Sequence, residues 1–246
     1  MPESMLMWLE ISFNVAYLIV VWGLVVAMIR RQPEVNPDDR PVTAGFIWAF
    51  ALLALGDTGH VGFRVAAFAM GSLETTISLF GREVGLVGLG ALSTAVTVTF
   101  FYVLMLVIWH RRFKKPYGWF GYLLFASAVA RLLIMLPPQN QWNDAVPPQP
   151  WSFYRNLPLV ILGLGVAYLI LRDALRQGDN TFKWIGIMIL VSYAFYAPVI
   201  LFVQAVPAIG MLMIPKTLAY VAIGLIAYRD LFQAPTMVME ADLVDG

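Results

Sequence analysis

Seven runs of mainly apolar residues, each about as long as a bilayer is thick, constrain this chain more than any other feature. They cover residues 5–29, 42–70, 84–109, 118–136, 156–174, 184–204 and 207–228. A helix needs about 20 such residues to cross roughly 30 Å of hydrocarbon. In lipid a helix also satisfies its own backbone N–H and C=O groups, which have no water to turn to. The expected fold is therefore an all-α membrane protein, a seven-transmembrane-helix bundle. The run at 42–70 carries Asp57, His60 and Arg64, and the last two runs are separated only by residues 204–207, which calls for a tight turn.

Composition agrees with this reading. Of 246 residues, 60% are hydrophobic and 13% charged, whereas a soluble domain carries about a quarter charged residues. Net charge is only +1, so the electrostatic footprint of a nucleic-acid partner is missing. Cysteine is absent, which excludes disulfides, thiolate metal sites and cysteine nucleophiles. The first apolar run is preceded by no basic segment and is long enough to span, so it is expected to be a span rather than a cleaved leader.

The connections alternate in charge. Those after runs one, three and five, with Arg229 after run seven, hold 11 of the 16 basic residues, among them Arg30, Arg31, Arg40, Arg111, Arg112, Lys114, Lys115, Arg172, Arg176 and Lys183. The opposite connections hold only Arg82 and Arg155. Short basic loops stay in the cytoplasm, which puts the N-terminus outside and the C-terminus in the cytoplasm of a multi-pass protein of a cytoplasmic or inner membrane. Trp8, Trp109, Tyr117, Trp119, Trp142, Trp151, Tyr154, Trp184 and Tyr228 fall at run ends, as an interfacial belt does. One transmembrane domain is expected over 1–233, with a short acidic cytoplasmic tail over 234–246. The outer loop Pro137–Tyr154, rich in Pro, Gln, Asn and Trp, reads as an ordered loop or as a lid folded back over the outer face.

Ionisable residues inside spans are costly and face the bundle interior or a watery cavity. Measured at about 1.5 Å per residue from the cytoplasmic end, Lys216 lies at roughly 18 Å, Arg131 and Asp57 at about 20–22 Å, Asn14 at about 24 Å and His60 near 27 Å. Glu10 and Arg64 come out near the outer boundary. Tyr193 and Tyr196 add hydroxyls near the middle of run six. The inner half carries no charge over 15–29, 44–55, 100–109, 119–126, 160–171 and 221–227. A pump or transporter needs ionisable steps to both faces, so a dead-end cavity open to the outside fits better. Asp57, His60 and Arg64 at i, i+3 and i+7 share one helical face. Gly56, Gly59 and Gly62 on the same turns let a neighbouring backbone come close. Pro215 ahead of Lys216 would free the carbonyl at 211. Three cations against two carboxylates leave a positive excess that an anionic ligand or headgroup would satisfy; the same layer also reads as interhelical ion pairs that fix the bundle.

No metal site is expected, because His60 and His110 are the only histidines and lie on opposite sides. No Gly-x-Ser-x-Gly elbow occurs either. What an enzyme would have left is acid–base chemistry by Asp57 and His60 on a lipid-like substrate, with a cation stabilising developing negative charge.

Seven spans, an outside N-terminus, short loops and Ile214-Pro215-Lys216-Thr217-Leu218-Ala219-Tyr220 midway along the last span make the chain resemble the microbial rhodopsins. That resemblance implies retinal held as a Schiff base on Lys216, with Ser192–Pro198 in the pocket wall. The family's third-helix Arg and carboxylate pattern is missing: run three has Ser93, Thr94, Thr97 and Thr99 and no acid, so Asp57 would have to supply the counter-ion from another helix.

The reading leans toward a binding or sensing protein and away from an enzyme, with an outer-half pocket lined by Asp57, His60, Arg131, Lys216 and Tyr193 or Tyr196. Its ligand would be a lipid or small molecule reached from the outer side, and a membrane-protein partner would read it through the cytoplasmic loops. The alternatives are an accessory or structural subunit of a larger membrane complex, an intramembrane lipid-modifying enzyme, and the retinal protein. All of them share one topology. A reporter fused after Gly246 should read cytoplasmic, and tags within 72–80 and 140–148 should react with impermeant reagents from outside. Labelling of 72–80 only after permeabilisation would overturn the orientation and every depth above.

Overall fold

A computed structural model describes residues 3–72, 74–79, 82–143 and 148–233 of the chain. The apolar runs become helices α1 (Glu3–Arg31), α2 (Arg40–Ala69), α3 (Leu86–Phe113), α4 (Gly118–Ile134), α5 (Trp151–Gln177), α6 (Asn180–Phe202) and α7 (Met213–Ala227). Six stretches, Ser12–Glu34, Arg40–Ala69, Leu86–Phe113, Trp151–Gln177, Asn180–Phe202 and Ala208–Phe232, are long and apolar enough to cross a membrane. The fourth apolar helix, Gly118–Ile134, is shorter, at 17 residues. Local chemistry sets several ends. Gly178 closes α5 with φ 70°, and Asp179 caps α6 by accepting from the Phe182 N–H at 3.0 Å.

Two differences from the sequence reading stand out. Residues expected to form a plain outer connection instead make a two-stranded antiparallel hairpin, β1 (Thr76–Leu79) with β2 (Arg82–Gly85), pairing Thr76 with Gly85 and Leu79 with Arg82. The fold is otherwise helical, in keeping with an all-α membrane protein, and the third helix begins only after β2. Thr75, Thr76, Ile77 and Val84 are β-branched and favour a pleated strand. The second difference lies before α7, where residues Pro207–Leu212 form 3₁₀ turns and the α-helix starts at Met213. Pro215 sits in the first turn of α7, where its missing N–H costs nothing, rather than interrupting a helix that began at 207.

The helices follow one another around a ring: α1 packs on α2 and α7, each later helix packs on its successor, and α3 reaches across to α5. The α2–α3 contact is the most extensive. Glycines permit it. A Cβ on Gly56 would overlap the Thr97 hydroxyl, one on Gly59 would come within 2.6 Å of Ser93 Oγ, and one on Gly90 within 2.9 Å of His60 Cα. Gly62 instead faces open space. The interior toward the basic connections is a packed aromatic core. Phe50 meets Phe101 edge-on at 5.7 Å and Phe101 meets Tyr220 at 5.3 Å, with Phe46, Met105, Leu106 and Ile108 fully buried around them. Outside this core the helices turn large apolar side chains outward, among them Ile19, Trp48, Val129, Leu133, Leu164 and Tyr168. Such an apolar surface suits lipid.

The two ends of the ring are built differently. At one, Arg112 of α3 bridges Asp39 at 3.1 Å and Asp179 at 2.9 Å, and Arg111 donates to the Pro41 carbonyl at 3.0 Å. The basic connections after α1, α3 and α5 thus meet at a single end. Trp109, expected in an interfacial belt, is 1% exposed and donates to Asp173 at 2.9 Å. Asp173, which the sequence reading passed over, also pairs with Arg172 at 2.6 Å. At the other end the Gly85 N–H donates to Asn143 Oδ1 at 2.8 Å, and Gln149 donates to the Ile200 carbonyl at 3.1 Å. The connection between α4 and α5 is thereby tied to both the hairpin and α6. The acidic tail over 234–246 lies outside the described residues.

The glycine seam is directly testable. Gly56→Ala should lower the thermal midpoint in detergent by the equivalent of about 1–3 kcal/mol, the cost of overpacking. Gly62→Ala should be neutral or slightly stabilising, because alanine favours helix and meets nothing there. Equal effects at the two positions would contradict the seam.

Candidate functional site

Asp57 projects from α2 between α1 and α3, and a hydroxyl from each side meets it. Tyr17 of α1 donates to its Oδ2 at 2.6 Å. Thr94 of α3 lies 3.1 Å from its Oδ1 and 3.1 Å from the Gly56 carbonyl, sharing a single proton between the two acceptors. One turn away Trp22 donates to the Thr58 hydroxyl at 3.0 Å, adding a second α1–α2 link. Close approach of α3 to Gly56 is what brings Thr94 within reach. Among the described residues Asp57 makes no salt bridge within 4 Å, so neutral donors hold both its oxygens.

The cations are placed differently. Lys216 of α7 sets its ammonium 4.2 Å from the centre of the Tyr196 ring and 5.8 Å from that of Tyr220, a cation–π seat. It lies within electrostatic reach of both Asp57 and Arg131. Arg131, in the last turn of α4, is 2% exposed, and its Nε and Nη1 have no hydrogen-bond partner among the described residues. The hydroxyls around it are committed elsewhere. Tyr193 donates to the Leu159 carbonyl at 2.8 Å, Tyr196 donates to Asn156 Oδ1 at 2.9 Å, and the Tyr102 and Tyr220 hydroxyls pair at 2.8 Å. Gly163 makes room for the first of these, since a Cβ there would overlap the Tyr193 phenol. Arg155, at the start of α5, donates to the Asn140 carbonyl at 3.3 Å and stacks on Trp142 at 4.2 Å.

Asp57, Lys216, Arg131, Tyr193 and Tyr196 thus share one interior layer. His60 is one turn from Asp57 along α2, against Gly90 of α3. Arg64 lies two turns from Asp57 on the same helix. Asn14 is half-buried one turn before Tyr17, and the side chain of Glu10 lies outside the described residues. Sequence reasoning missed Tyr17 and Thr94 as the partners of Asp57, and Asn156 as that of Tyr196. A signal for Tyr17 existed: Glu10, Asn14 and Tyr17 stand at i, i+4 and i+7, on one face of α1. Of metal-binding clusters of three or more His, Cys, Asp or Glu, none occurs among the described residues.

In chemical terms the layer is a low-dielectric site with a carboxylate held by hydroxyls, a lysine held by aromatic faces, an arginine with two nitrogens unpartnered among the described residues, and a rim of phenols. An unsatisfied buried donor costs about 1–3 kcal/mol, and more when it is charged. No protein-family model, no curated protein and no solved structure shows significant similarity to the chain, so the geometry alone carries the functional argument.

Tyr17→Phe removes a hydrogen bond to a carboxylate and should cost about 1.5–3 kcal/mol. Tyr102→Phe removes one between neutral hydroxyls and should cost about 0.5–1.5 kcal/mol. Thermal unfolding of the two purified variants ranks them, and the opposite order would contradict the Asp57 assignment.

Proposed function

We propose that the chain is a membrane-embedded binding or sensing protein, a seven-helix bundle with its N-terminus outside and its C-terminus in the cytoplasm. A lipid-like or small-molecule ligand would occupy the interior layer formed by Asp57, Arg131, Tyr193, Tyr196 and Lys216. The observation that carries this reading is Arg131, a guanidinium at 2% exposure with two nitrogens lacking a partner among the described residues. A layer built only to fix the bundle would pair its ions, since breaking a buried pair is costly. Here the carboxylate is satisfied by hydroxyls, and Nε and Nη1 of Arg131 stay available.

A route to a cytoplasmic partner runs through the same helices. Asp57 belongs to α2 and Tyr193 and Tyr196 to α6, while the far ends of these helices meet at Arg112, which bridges Asp39 and Asp179 and lies 5.4 Å from the centre of the Phe182 ring. Movement of α2 against α6 around a ligand would load or release that bridge, exposing basic loops to a membrane-protein partner.

The test is chemical identification of what co-purifies. Protein extracted in mild detergent should carry a bound molecule detectable by mass spectrometry. Lys216→Met, which keeps the stem and removes the charge, should lose that molecule while its thermal midpoint stays within a few degrees of the parent. A parent with nothing bound, together with a strongly destabilised Lys216→Met, would favour the structural-subunit reading instead.

The interior position of Lys216, with Asp57 in electrostatic reach as a counter-ion, favours the retinal reading as the second one. It requires a visible absorption band on addition of retinal, abolished by Lys216→Ala. A folded protein without that band removes it.

A further inference from the structure

We infer that the group received by Arg131 is an oxyanion, a carboxylate or a phosphate, carried by the ligand and surrounded by Arg155 and Lys216. This rests on the binding reading above and adds the chemical class that the site selects.

Three observations support it. A guanidinium stays charged at any physiological pH and offers donors only, so Arg131 at 2% exposure needs an acceptor that its surroundings do not give to Nε or Nη1. Its charged neighbours are cations: Arg155, itself 8% exposed, and Lys216 both lie within electrostatic reach of it. Among the described residues no carboxylate forms a salt bridge with any of the three, and Asp57 is taken by Tyr17 and Thr94. Asp57, in electrostatic reach of Lys216, offsets one of these three charges. Neutral acceptors nearby would leave the rest of the positive field uncompensated, whereas an oxyanion both accepts the hydrogen bonds and neutralises the charge. The planar fork of arginine suits carboxylate and phosphate in particular.

The surroundings also bear on where the oxyanion comes from. Trp142 lies across Arg155, and Asn140 and Gln149 fasten the same connection to Arg155 and to α6. That connection packs on Arg155 at the end of the ring that carries the hairpin. A free anion from water has to pass it, while one borne on a lipid tail can reach the layer between helices. Both sources present the same chemistry to Arg131.

The experiment is a thermal-shift titration of the full-length protein in a neutral maltoside detergent. The probes are acetate and inorganic phosphate as free oxyanions, dodecanoate and dodecyl phosphate as tailed ones, and dodecanol as a neutral control. At least one oxyanion probe should raise the midpoint saturably, by about 5–10 °C at a hundred times its Kd, with no shift from dodecanol. A response to acetate or phosphate identifies a free anion, and a response only to the tailed probes identifies a lipid-borne one. Arg131→Met should abolish the shift and raise the midpoint of the unliganded protein, because an unpaired buried charge gives way to an apolar side chain. Equal stabilisation by dodecanol and dodecanoate would overturn the oxyanion. So would the absence of any oxyanion shift, and the variant then separates the two failures. A raised Arg131→Met midpoint leaves the interior layer as a binding site for something other than an oxyanion, whereas a lowered one makes Arg131 structural and removes the binding reading as well.

Discussion

A charge inside a helical bundle has no water to fall back on, and this constraint organises the molecule. At Asp57 it is met by a hydroxyl from each adjacent helix, Tyr17 at 2.6 Å and Thr94 at 3.1 Å. Thr94 reaches Asp57 only because Gly56 and Gly59 let α3 lie against α2. Sequence, packing and electrostatics form one chain of dependence here: small residues permit the approach, the approach delivers a donor, and the donor makes a buried carboxylate tolerable. At Nε and Nη1 of Arg131 the same constraint is left unmet by the described residues, and that contrast is the basis for reading the layer as a place for a ligand.

The two ends of the ring frame this layer. On one side lie the packed aromatic core of Phe50, Phe101 and Tyr102 and, beyond it, the Arg112 bridge and the buried Trp109–Asp173 pair. On the other side the hairpin and the α4–α5 connection are tied together through Asn143. A layer with a dense core below and a stitched connection above is coupled to both, because α2, α3, α5 and α6 each run through all three zones.

Much of the fold was legible because it follows from length. An apolar run of bilayer dimensions has few alternatives to a helix, and the basic connections identify which loops belong together. The hairpin was not legible by that route, since Thr76-Ile77-Ser78-Leu79 is apolar enough to pass as the approach to a span, and its strand character depends on pairing with residues 82–85. The ionised residues of the site stood out in the sequence because a charge in an apolar run is conspicuous. Their partners did not, because Tyr17 and Thr94 look like ordinary span residues until a neighbouring helix is placed beside them. Trp109 shows the converse: its position at a run end suggested the interface, while the carboxylate of Asp173 draws it inside.

The account stands or falls on what meets the free side of the Arg131 guanidinium. An experimental density map of the purified protein in a lipid environment answers this most directly. The account predicts non-protein density within hydrogen-bond reach of Arg131 Nε or Nη1, between α4, α6 and α7, with Tyr17 and Thr94 still on Asp57. A map in which Arg131 instead bonds to Asp57 or to a backbone carbonyl, with no non-protein density beside it, would contradict the binding site and leave the layer as structural framework.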